Sequence, residues 1–196
     1  MDTAEQKRAL RRRMGAARDG LDTATCAAHG LAAAERVAAL DAYRTAETVL
    51  VTLAIGRELP TAPVVARILA DGKRLVLPRV AGTELSLHQV ADPATQLAPG
   101  CWDILEPVPG LKPLHPNAVD LFLLPGLAFD ARGGRLGYGR GFFDRVLARS
   151  EGVRAGLGYD MQVVETVPVA EWDARLDWII TPTRVIHCRG RERNLI

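Results

Sequence analysis

Five glycines and two arginines share one short stretch, residues 133–141, which reads GGRLGYGRG. Glycine tolerates positive φ and lets a ligand approach the backbone closely, and successive exposed N–H groups form an anion-binding concavity. Arg135 and Arg140 add fixed positive charge, and a guanidinium pairs its donors with phosphate oxygens. The pattern predicts a cradle for a polyphosphate or another anion. A tight surface turn with solvated arginines is the alternative that the spacing leaves open.

Two common nucleotide motifs do not describe this stretch. A Walker A loop ends in Lys-Ser or Lys-Thr, and neither follows these glycines. The Gly-x-Gly-x-x-Gly dinucleotide fingerprint is also absent, because the spacing here is Gly137-x-Gly139-x-Gly141. Asp144 follows at the start of a predicted helix. Its carboxylate fits either a ligand of a phosphate-bound Mg²⁺ or a partner of the helix dipole, and the residues alone leave both roles open.

A second basic segment, KRALRRRMGAAR, covers residues 7–18. On a helix its apolar residues share one face, and Lys7, Arg11 and Arg18 form a stripe beside that face. A cation at the border of a packed face can direct its charge into a cleft while its stem stays packed. We therefore expect Lys7 and Arg11 to face a binding cleft. Arg8, Arg12 and Arg13 are expected to be solvated.

The segments around these motifs alternate between predicted helices and strands. Helical patterns cover residues 3–20, 23–40, 63–70 and 141–150. Strands are predicted at residues 47–54, 74–78, 84–90, 119–125, 154–159 and 176–182. Residues 91–118 contain six prolines and indicate a long irregular connection. The alternation predicts an α/β domain with a mostly parallel sheet. Ligands of such sheets bind at the carboxyl ends of the strands, and the glycine-rich stretch follows the most apolar strand directly.

The composition bounds the class of protein. The chain has 196 residues, of which 48% are hydrophobic and 24% charged, and its net charge is +2. These values are typical of a soluble globular protein, and the length predicts one domain over residues 1–196. The near-neutral charge and the aromatic content of 5% disfavour an RNA-binding role led by the basic N-terminal segment. We therefore expect no nucleic-acid partner.

The cysteines and the apolar runs indicate a cytoplasmic setting. Cys26, Cys101 and Cys188 are odd in number and far apart, which argues against a disulfide framework and against a zinc site. No apolar run approaches the roughly 18 residues of a membrane span, so no membrane partner is expected. The arginine-rich N-terminus leaves an organelle transit peptide open as an alternative.

The segment PGLAFDARGGRLGYGRGFFDR, residues 125–145, resembles the signature of the 5-formyltetrahydrofolate cyclo-ligase family, the methenyltetrahydrofolate synthetases. The matching positions are Pro125, Leu127, Phe129, Asp130, Arg135, Leu136, Gly137, Gly139, Gly141, Phe142, Phe143 and Asp144. Other segments agree in order: KRALR from residue 7, GRELPT over 56–61, GKRLVLPRV over 72–80, WDILEP over 102–107 and VPVAEWDARLDWIIT over 167–181. The resemblance runs from residue 7 to residue 181 and is weak between residues 81 and 99.

The resemblance implies both a fold and a reaction. The implied fold is a three-layer α/β/α domain with a mostly parallel sheet, similar to sugar-phosphate isomerases and CoA transferases and therefore Rossmann-like. The implied reaction is the ATP- and Mg²⁺-dependent conversion of 5-formyltetrahydrofolate to 5,10-methenyltetrahydrofolate, with release of ADP and phosphate. We therefore expect Mg²⁺ as cofactor, ATP as co-substrate and a monomeric enzyme. The alternative is a non-catalytic folate- or nucleotide-binding protein that keeps the scaffold.

The resemblance also implies roles for individual residues. Lys7 and Arg11 would contact the ATP phosphates, with Arg140 placed for the γ-phosphate. Asp144 and Asp173 would hold Mg²⁺. The rest of the nucleotide cradle would comprise Arg135, Leu136, Gly137, Tyr138, Gly139, Gly141, Phe142 and Phe143. The folate contacts would come from Leu53, Glu58 and Trp102. Without the resemblance, Asp173 fits a turn former equally well, and Trp102 fits ordinary core.

Three positions depart from the family pattern. Phe143 stands where tyrosine is more usual, Trp172 where bacterial members often have histidine, and Asp103 where glycine is common. The first change removes a hydroxyl that could bond a ligand. The four histidines stand in unrelated contexts and are expected to be structural or solvated. This agrees with phosphoryl transfer, which needs positioning and charge neutralisation but no protein nucleophile.

Overall fold

The computed structural model describes residues 2–101 and 104–189, whose centre is an eight-stranded sheet. The helices of the described residues are α1 (Thr3–Asp19), α2 (Thr23–Ala39), α3 (Asp41–Thr45), α4 (Ala62–Ala70), α5 (Pro93–Gln96) and α6 (Phe142–Leu147). The strands are β1 (Thr48–Val51), β2 (Arg74–Ala81), β3 (Glu84–Gln89), β4 (Leu97–Pro99), β5 (Leu105–Pro107), β6 (Pro113–Leu114), β7 (Leu121–Pro125), β8 (Ala128–Phe129), β9 (Arg135–Leu136), β10 (Val153–Leu157), β11 (Trp178–Ile180) and β12 (Val185–His187).

The middle of the sheet is parallel, as the sequence predicts. Strands β11, β10, β7, β1 and β2 lie side by side in that order and all run parallel. Antiparallel strands complete both edges, β12 beside β11 and then β3 and β6 beyond β2. The chain moves from β1 to β2 on one side and later returns to β7 on the other. The carboxyl ends of β1 and β7 therefore flank the crevice in which such sheets bind ligands.

Both faces of the sheet are covered. In β1, Val49 and Val51 pack with residues of α2 and α4, whereas Leu50 packs in a second cluster with Phe122 and Val146 of α6. Alternation along a strand sends successive side chains to opposite faces. Each fully buried side chain of this size contributes about 1.5–3 kcal/mol. The result is the three-layer α/β/α arrangement expected from the resemblance.

The helix boundaries follow from capping residues. Asp2 accepts a hydrogen bond from the Glu5 backbone amide at 2.6 Å, and Asp22 accepts one from the Thr25 amide at 2.9 Å. Such N-caps satisfy amides that have no partner inside the helix. Gly20 ends α1, so the GLDT segment supplies the predicted break and cap. The helix predicted over residues 63–70 forms with Pro63 in its first turn.

Helix α1 packs away from the main sheet. Its Leu10 and Met14 are buried against Leu127, Ala128 and Leu136, which belong to the β8–β9 hairpin and the residue before it. This hairpin was not predicted, because two-residue strands have no measurable alternation. Its packing on α1 brings the basic N-terminal stripe beside the glycine-rich stretch.

Two sequence predictions are corrected by the structure. Residues 91–118 are not irregular throughout, since they contain α5, β4, β5 and β6, and β4 pairs with β5. The helix predicted over residues 141–150 covers only Phe142–Leu147. In residues 91–118, prolines at the ends of the short elements interrupt the hydrophobic periodicity from which a strand or helix is predicted. In the second case, the chain continues in tighter turns, since the Arg149 and Ser150 amides bond the carbonyls of Val146 and Leu147, three residues back.

The lengths of the helices and the state of the cysteines are two further features of the structure. None of the helices that it describes combines the length and apolarity needed to cross a bilayer. Cys26, Cys101 and Cys188 are free thiols.

Candidate active site

A cavity of about 1080 Å³ opens at the carboxyl ends of β1 and β7. It is lined by every predicted site residue that the structure describes: Lys7, Arg11, Leu53, Glu58, Arg135, Leu136, Gly137, Tyr138, Gly139, Arg140, Gly141, Phe142, Phe143, Asp144 and Asp173. Trp102 and Asp103 lie outside the described residues. Residues from both ends of the chain thus meet in one place.

Asp130 sets the shape of the chain before the glycines. It is 1% exposed. One carboxylate oxygen accepts hydrogen bonds from the amides of Arg132 and Gly134 at 2.9 and 3.0 Å, and the other accepts one from Val167 at 2.7 Å. Charge-assisted bonds of this kind are stronger than neutral ones. The family signature therefore contains an aspartate that fixes the loop rather than one that reaches the cavity.

The glycines are required by the path of the backbone. Gly139 has φ +97° and Gly141 has φ +65°, in a region that other residues rarely adopt. The Arg11 side chain lies across this turn, because its Nε donates to the Gly137 carbonyl at 2.9 Å. A Cβ atom on Gly139 would lie only 3.2 Å from Arg11 Nη2. Gly139 thus accommodates both an unusual conformation and a cation from α1.

Lys7 and Asp173 form an ion pair on the cavity wall. Their Nζ and Oδ2 atoms are 2.5 Å apart, and the two side chains are 18% and 15% exposed. The Asp173 oxygen also accepts a hydrogen bond from the Ala170 amide at 2.7 Å. Asp173 therefore forms a turn and at the same time faces the cavity. The two roles that the sequence left open for this residue are compatible.

Arg135 and Asp144 form a second ion pair beside the first. Arg135 Nη2 lies 3.2 Å from Asp144 Oδ1, and the arginine side chain is only 5% exposed. Burial lowers the pKa of Arg135, although the charges of Asp144 and Asp173 oppose the shift. Asp144 Oδ1 also accepts from the Ala174 amide at 3.2 Å. Arg135 Nε is buried and has no hydrogen-bond partner within residues 2–101 and 104–189, so this cation keeps a donor that those residues do not use.

The donor set fits Mg²⁺ delivered with a nucleotide. Mg²⁺ prefers oxygen ligands and usually takes one or two carboxylates, with phosphate oxygens and water completing its shell. Asp144 and Asp173 supply two carboxylates on one wall. Within residues 2–101 and 104–189, no group of three or more His, Cys, Asp or Glu could hold a metal alone.

The segment after β1 presents Glu58 to the cavity. Glu58 is 8% exposed, and its Oε2 accepts a hydrogen bond from the Ile55 amide at 3.0 Å. Thr61 closes the same segment, since its hydroxyl donates to the Thr52 carbonyl at 2.7 Å and accepts from the Ala54 amide at 3.0 Å. The Gly-x-Glu-x-x-Thr pattern is therefore a folded loop in which the carboxylate is held in place.

Tyr138 and Arg18 connect Glu58 to the glycine-rich stretch, and no site role for Arg18 was predicted from the sequence. The Tyr138 hydroxyl donates to Glu58 Oε1 and accepts from Arg18 Nη1 at 2.9 Å. Arg18 is 8% exposed and lies 3.9 Å from Glu58 Oε1. Burial and the Glu58 charge raise the pKa of Tyr138 to about 12. Arg18 belongs to the predicted basic stripe, which was the available signal.

The remaining predicted residues lie on the same wall with more exposure. Arg140 is exposed and borders the cavity, as do the half-buried Leu53 and Phe143. The Arg135 guanidinium carbon lies 5.7 Å from the centre of the Phe143 ring, within cation–π range. Trp172 is 80% exposed at the cavity edge. Phe143 and Trp172 depart from the family pattern, and both present aromatic surface to the cavity.

The histidines lie away from the cavity, as expected. His88 is buried and bonds Ser86 at 2.8 Å, and His187 packs on Trp178 with ring centres 4.4 Å apart. His29 packs near Tyr159, and His115 caps a short 3₁₀ turn. None of the four lines the cavity. The site offers cations, carboxylates and backbone amides, a set suited to binding and neutralising a polyphosphate.

Comparisons with known proteins agree on one family. The model of the 5-formyltetrahydrofolate cyclo-ligase family matches residues 3–182. The 5-formyltetrahydrofolate cyclo-ligase of Escherichia coli (strain K12) is 35% identical over 164 residues, which cover 80% of this chain and 89% of that protein. The enzyme of the same name from Haemophilus influenzae is 30% identical over 141 residues, covering 68% of this chain and 74% of that protein.

Solved structures give the same result. The NMR structure of Aquifex aeolicus 5,10-methenyltetrahydrofolate synthetase superimposes with a TM-score of 0.84 and 33% identity, covering 97% of this chain and 96% of that one. A 5,10-methenyltetrahydrofolate synthetase from Mycoplasma pneumoniae has a TM-score of 0.73 at 24% identity over 93% of this chain and 99% of that one, which supports the fold. The chain belongs to the 5-formyltetrahydrofolate cyclo-ligase family.

Proposed function

We propose that this protein is a 5-formyltetrahydrofolate cyclo-ligase that acts as one monomeric domain in the cytoplasm. It would convert 5-formyltetrahydrofolate and ATP into 5,10-methenyltetrahydrofolate, ADP and phosphate. The observation that carries the proposal is the shared cavity, which holds a set of cations, two carboxylates and a buried glutamate contributed by distant parts of the chain. The family resemblance implies that these same groups bind ATP with its Mg²⁺ and the folate.

The chemistry requires activation of the formyl oxygen, because an amide-type oxygen is a poor leaving group. In the proposed reaction this oxygen attacks the γ-phosphorus and ADP leaves, which gives an iminium phosphate. N10 then attacks the activated carbon and loses its proton, and the C–O bond breaks to release phosphate. No protein nucleophile takes part, in agreement with the histidine positions.

The cations of the cavity would stabilise the charge that spreads over the transferred phosphoryl group. Arg11 reaches the glycine-rich stretch from α1, and Lys7 of the same helix pairs with Asp173 on the cavity wall. Arg135 is the buried cation of the stretch itself. Arg140, on the exposed part of the stretch, is the proposed contact of the γ-phosphate. Mg²⁺, held by Asp144 and Asp173, would neutralise phosphate oxygens.

The folate would use the other polar group of the cavity. Glu58 is a buried carboxylate and accepts hydrogen bonds, whereas a pterin ring carries several N–H donors. Leu53 supplies apolar surface beside it, and Trp102 is proposed to do the same. We infer that Glu58 orients the pterin so that the formyl oxygen faces the nucleotide.

The test is the growth of the methenyl-folate absorbance band when the purified protein is mixed with 5-formyltetrahydrofolate, ATP and Mg²⁺. We expect growth that requires ATP. Tight binding of the folate without growth of the band would instead support the non-catalytic binding protein. In the active enzyme, Arg140→Ala should lower kcat more than folate affinity. An equal loss of both would contradict the γ-phosphate contact.

A further inference from the structure

Tyr138 is partly exposed to solvent, but its hydroxyl is bonded inside the protein. The residue is 52% exposed, yet its hydroxyl bonds two buried side chains, Glu58 and Arg18. The Arg18 guanidinium also lies 5.9 Å from the centre of the Tyr138 ring. The middle of the glycine-rich stretch is thereby tethered to the loop that follows β1.

This tether uses the part of Glu58 that a ligand would need. Glu58 Oε2 is already bonded to the Ile55 amide of its own loop. Oε1 accepts the Tyr138 hydroxyl, and the Tyr138 ring lines the same cavity. A donor that approaches Oε1 from the cavity therefore meets Tyr138. The phenol occupies the position that an N–H group of a ligand would take.

We propose that Tyr138 is an internal competitor for the folate at Glu58, and that nucleotide binding at residues 137–141 withdraws it. The inference rests on the proposed function. Tyr138 lies between Gly137 and Gly139, so the segment that would wrap the phosphates also carries the tether. Gly137 and Gly139 flank Tyr138, and glycine has no Cβ to restrict its backbone, so this segment can change conformation on both sides of the tyrosine.

Withdrawal of Tyr138 would leave Glu58 as a hydrogen-bond acceptor for the folate. Arg18 is buried and lies 3.9 Å from Glu58, and its Nε has no hydrogen-bond partner among the residues that the structure describes. This cation stays beside the carboxylate when the tyrosine leaves, and Glu58 Oε1 is then open to a donor from the ligand. The raised pKa of Tyr138, about 12, keeps the phenol protonated and able to donate in the tethered state.

Thermodynamic linkage between ATP and the folate makes the proposed competition measurable. If ATP removes a competitor of the folate, each ligand must increase the affinity for the other by the same factor. Tyr138→Phe removes the bond to Glu58 and retains the ring. Folate should then bind more tightly without nucleotide, by about three- to tenfold for one hydrogen bond. The effect of nucleotide on folate affinity should shrink correspondingly.

The experiment is a calorimetric titration with 5-formyltetrahydrofolate, with and without a non-hydrolysable ATP analogue and Mg²⁺. Tyr43→Phe is the matched control, since Tyr43 also donates to a carboxylate, Asp71, but lies outside the cavity. We expect wild type and Tyr43→Phe to show the same coupling between the ligands. Folate affinity in Tyr138→Phe that is unchanged or weaker without nucleotide would overturn the proposal, as would coupling equal to wild type.

A measurement without ligands separates this proposal from the proposed function. If the tether exists, the amides of residues 137–141 should exchange hydrogen faster in unliganded Tyr138→Phe than in wild type or Tyr43→Phe. Equal exchange in the three proteins would overturn the tether. Failure of the wild type to bind the folate under any condition would reject the proposed function, while the exchange result would still decide whether the tether exists.

Discussion

The Lys7 ammonium and the Asp173 carboxylate lie 2.5 Å apart, although 166 positions separate them in the chain. A cation proposed for ATP phosphate is thus held by a carboxylate proposed for Mg²⁺. Entry of the metal–nucleotide complex would exchange one ion pair for two, lysine with phosphate and carboxylate with metal. The pair keeps both charges satisfied before the substrate arrives, which matters because both side chains are largely buried.

Replacement of Lys7 should weaken nucleotide binding. A lost charge-assisted bond to phosphate predicts that Lys7→Gln raises the KM for ATP by about ten- to hundredfold. Arg12→Gln is the control, because Arg12 is an exposed cation of the same helix that does not line the cavity. Initial rates measured against ATP concentration test the prediction. A KM unchanged by Lys7→Gln would mean that the lysine serves only the ion pair.

Asp144→Asn should lower turnover by about a hundredfold and raise the Mg²⁺ concentration required for half-maximal rate. The substitution removes a proposed metal ligand and also the charge that faces Arg135. Asp92→Asn provides the comparison, since Asp92 stands at the start of another short helix, outside the cavity. A Mg²⁺ titration of the rate separates the two variants. Wild-type turnover at limiting Mg²⁺ would exclude Asp144 as a ligand.

Gly139→Ala should impair both stability and nucleotide binding. Alanine at positive φ costs about 1–2 kcal/mol, and the new Cβ would crowd Arg11. Gly82→Ala has the same kind of backbone strain, at φ +62°, but no atom lies within 4 Å of its Cβ position. Urea unfolding should show similar losses for both variants. Only Gly139→Ala should raise the KM for ATP, and a similar increase for Gly82→Ala would refute the local explanation.

Asp130→Ala should destabilise the protein by about 2–4 kcal/mol, because three backbone amides, two of them buried, lose a charged acceptor. The exposed cap of α2 gives a reference. Asp22→Ala also removes a carboxylate bonded to a backbone amide, but water can replace it there, so the loss should be smaller. The midpoints of urea unfolding measure the loss of stability in Asp130→Ala and in Asp22→Ala. Equal losses would mean that Asp130 contributes no more than an ordinary helix cap.

Acid should weaken the edge of the sheet at Asp160. Burial alone would raise the pKa of this carboxyl, but hydrogen bonds from Thr183, Thr181 and Arg184 outweigh it and lower the pKa below 3.8. The unfolded chain therefore takes up the proton more readily. The stabilisation is complete above the unfolded pKa and is lost as the pH falls through the lower, folded value.

The variant Asp160→Asn tests this pH dependence. It should be less stable than wild type at pH 7, and the difference should narrow as the pH falls below about 4. Asp41→Asn is the control, because the side chain of Asp41 is 91% exposed. Urea unfolding measured between pH 7 and pH 3 gives the comparison. A difference that stays constant over this range would show that the charge of Asp160 is not responsible.

The core of the fold could be predicted from the sequence. The apolar runs at β1 and β7 predicted buried parallel strands, and capping residues placed α1 and α2 within one residue of their observed ends. The short hairpin β8–β9 and the strands within residues 91–118 could not be predicted. Elements of two or three residues have no periodicity, and only their packing against α1 or against neighbouring strands makes them form.

The residue types and their spacing were enough to predict the kind of ligand that this protein binds. Glycines among arginines indicated an anion cradle, and the length of the signature identified the family. Tertiary structure decided which charges meet. The pairing of Lys7 with Asp173, and of Tyr138 with both Arg18 and Glu58, depends on how α1 docks across the crevice. Sequence periodicity gives information only about residues that are close along the chain. The contacts of Lys7 and Tyr138 form because distant segments of the chain are buried against each other.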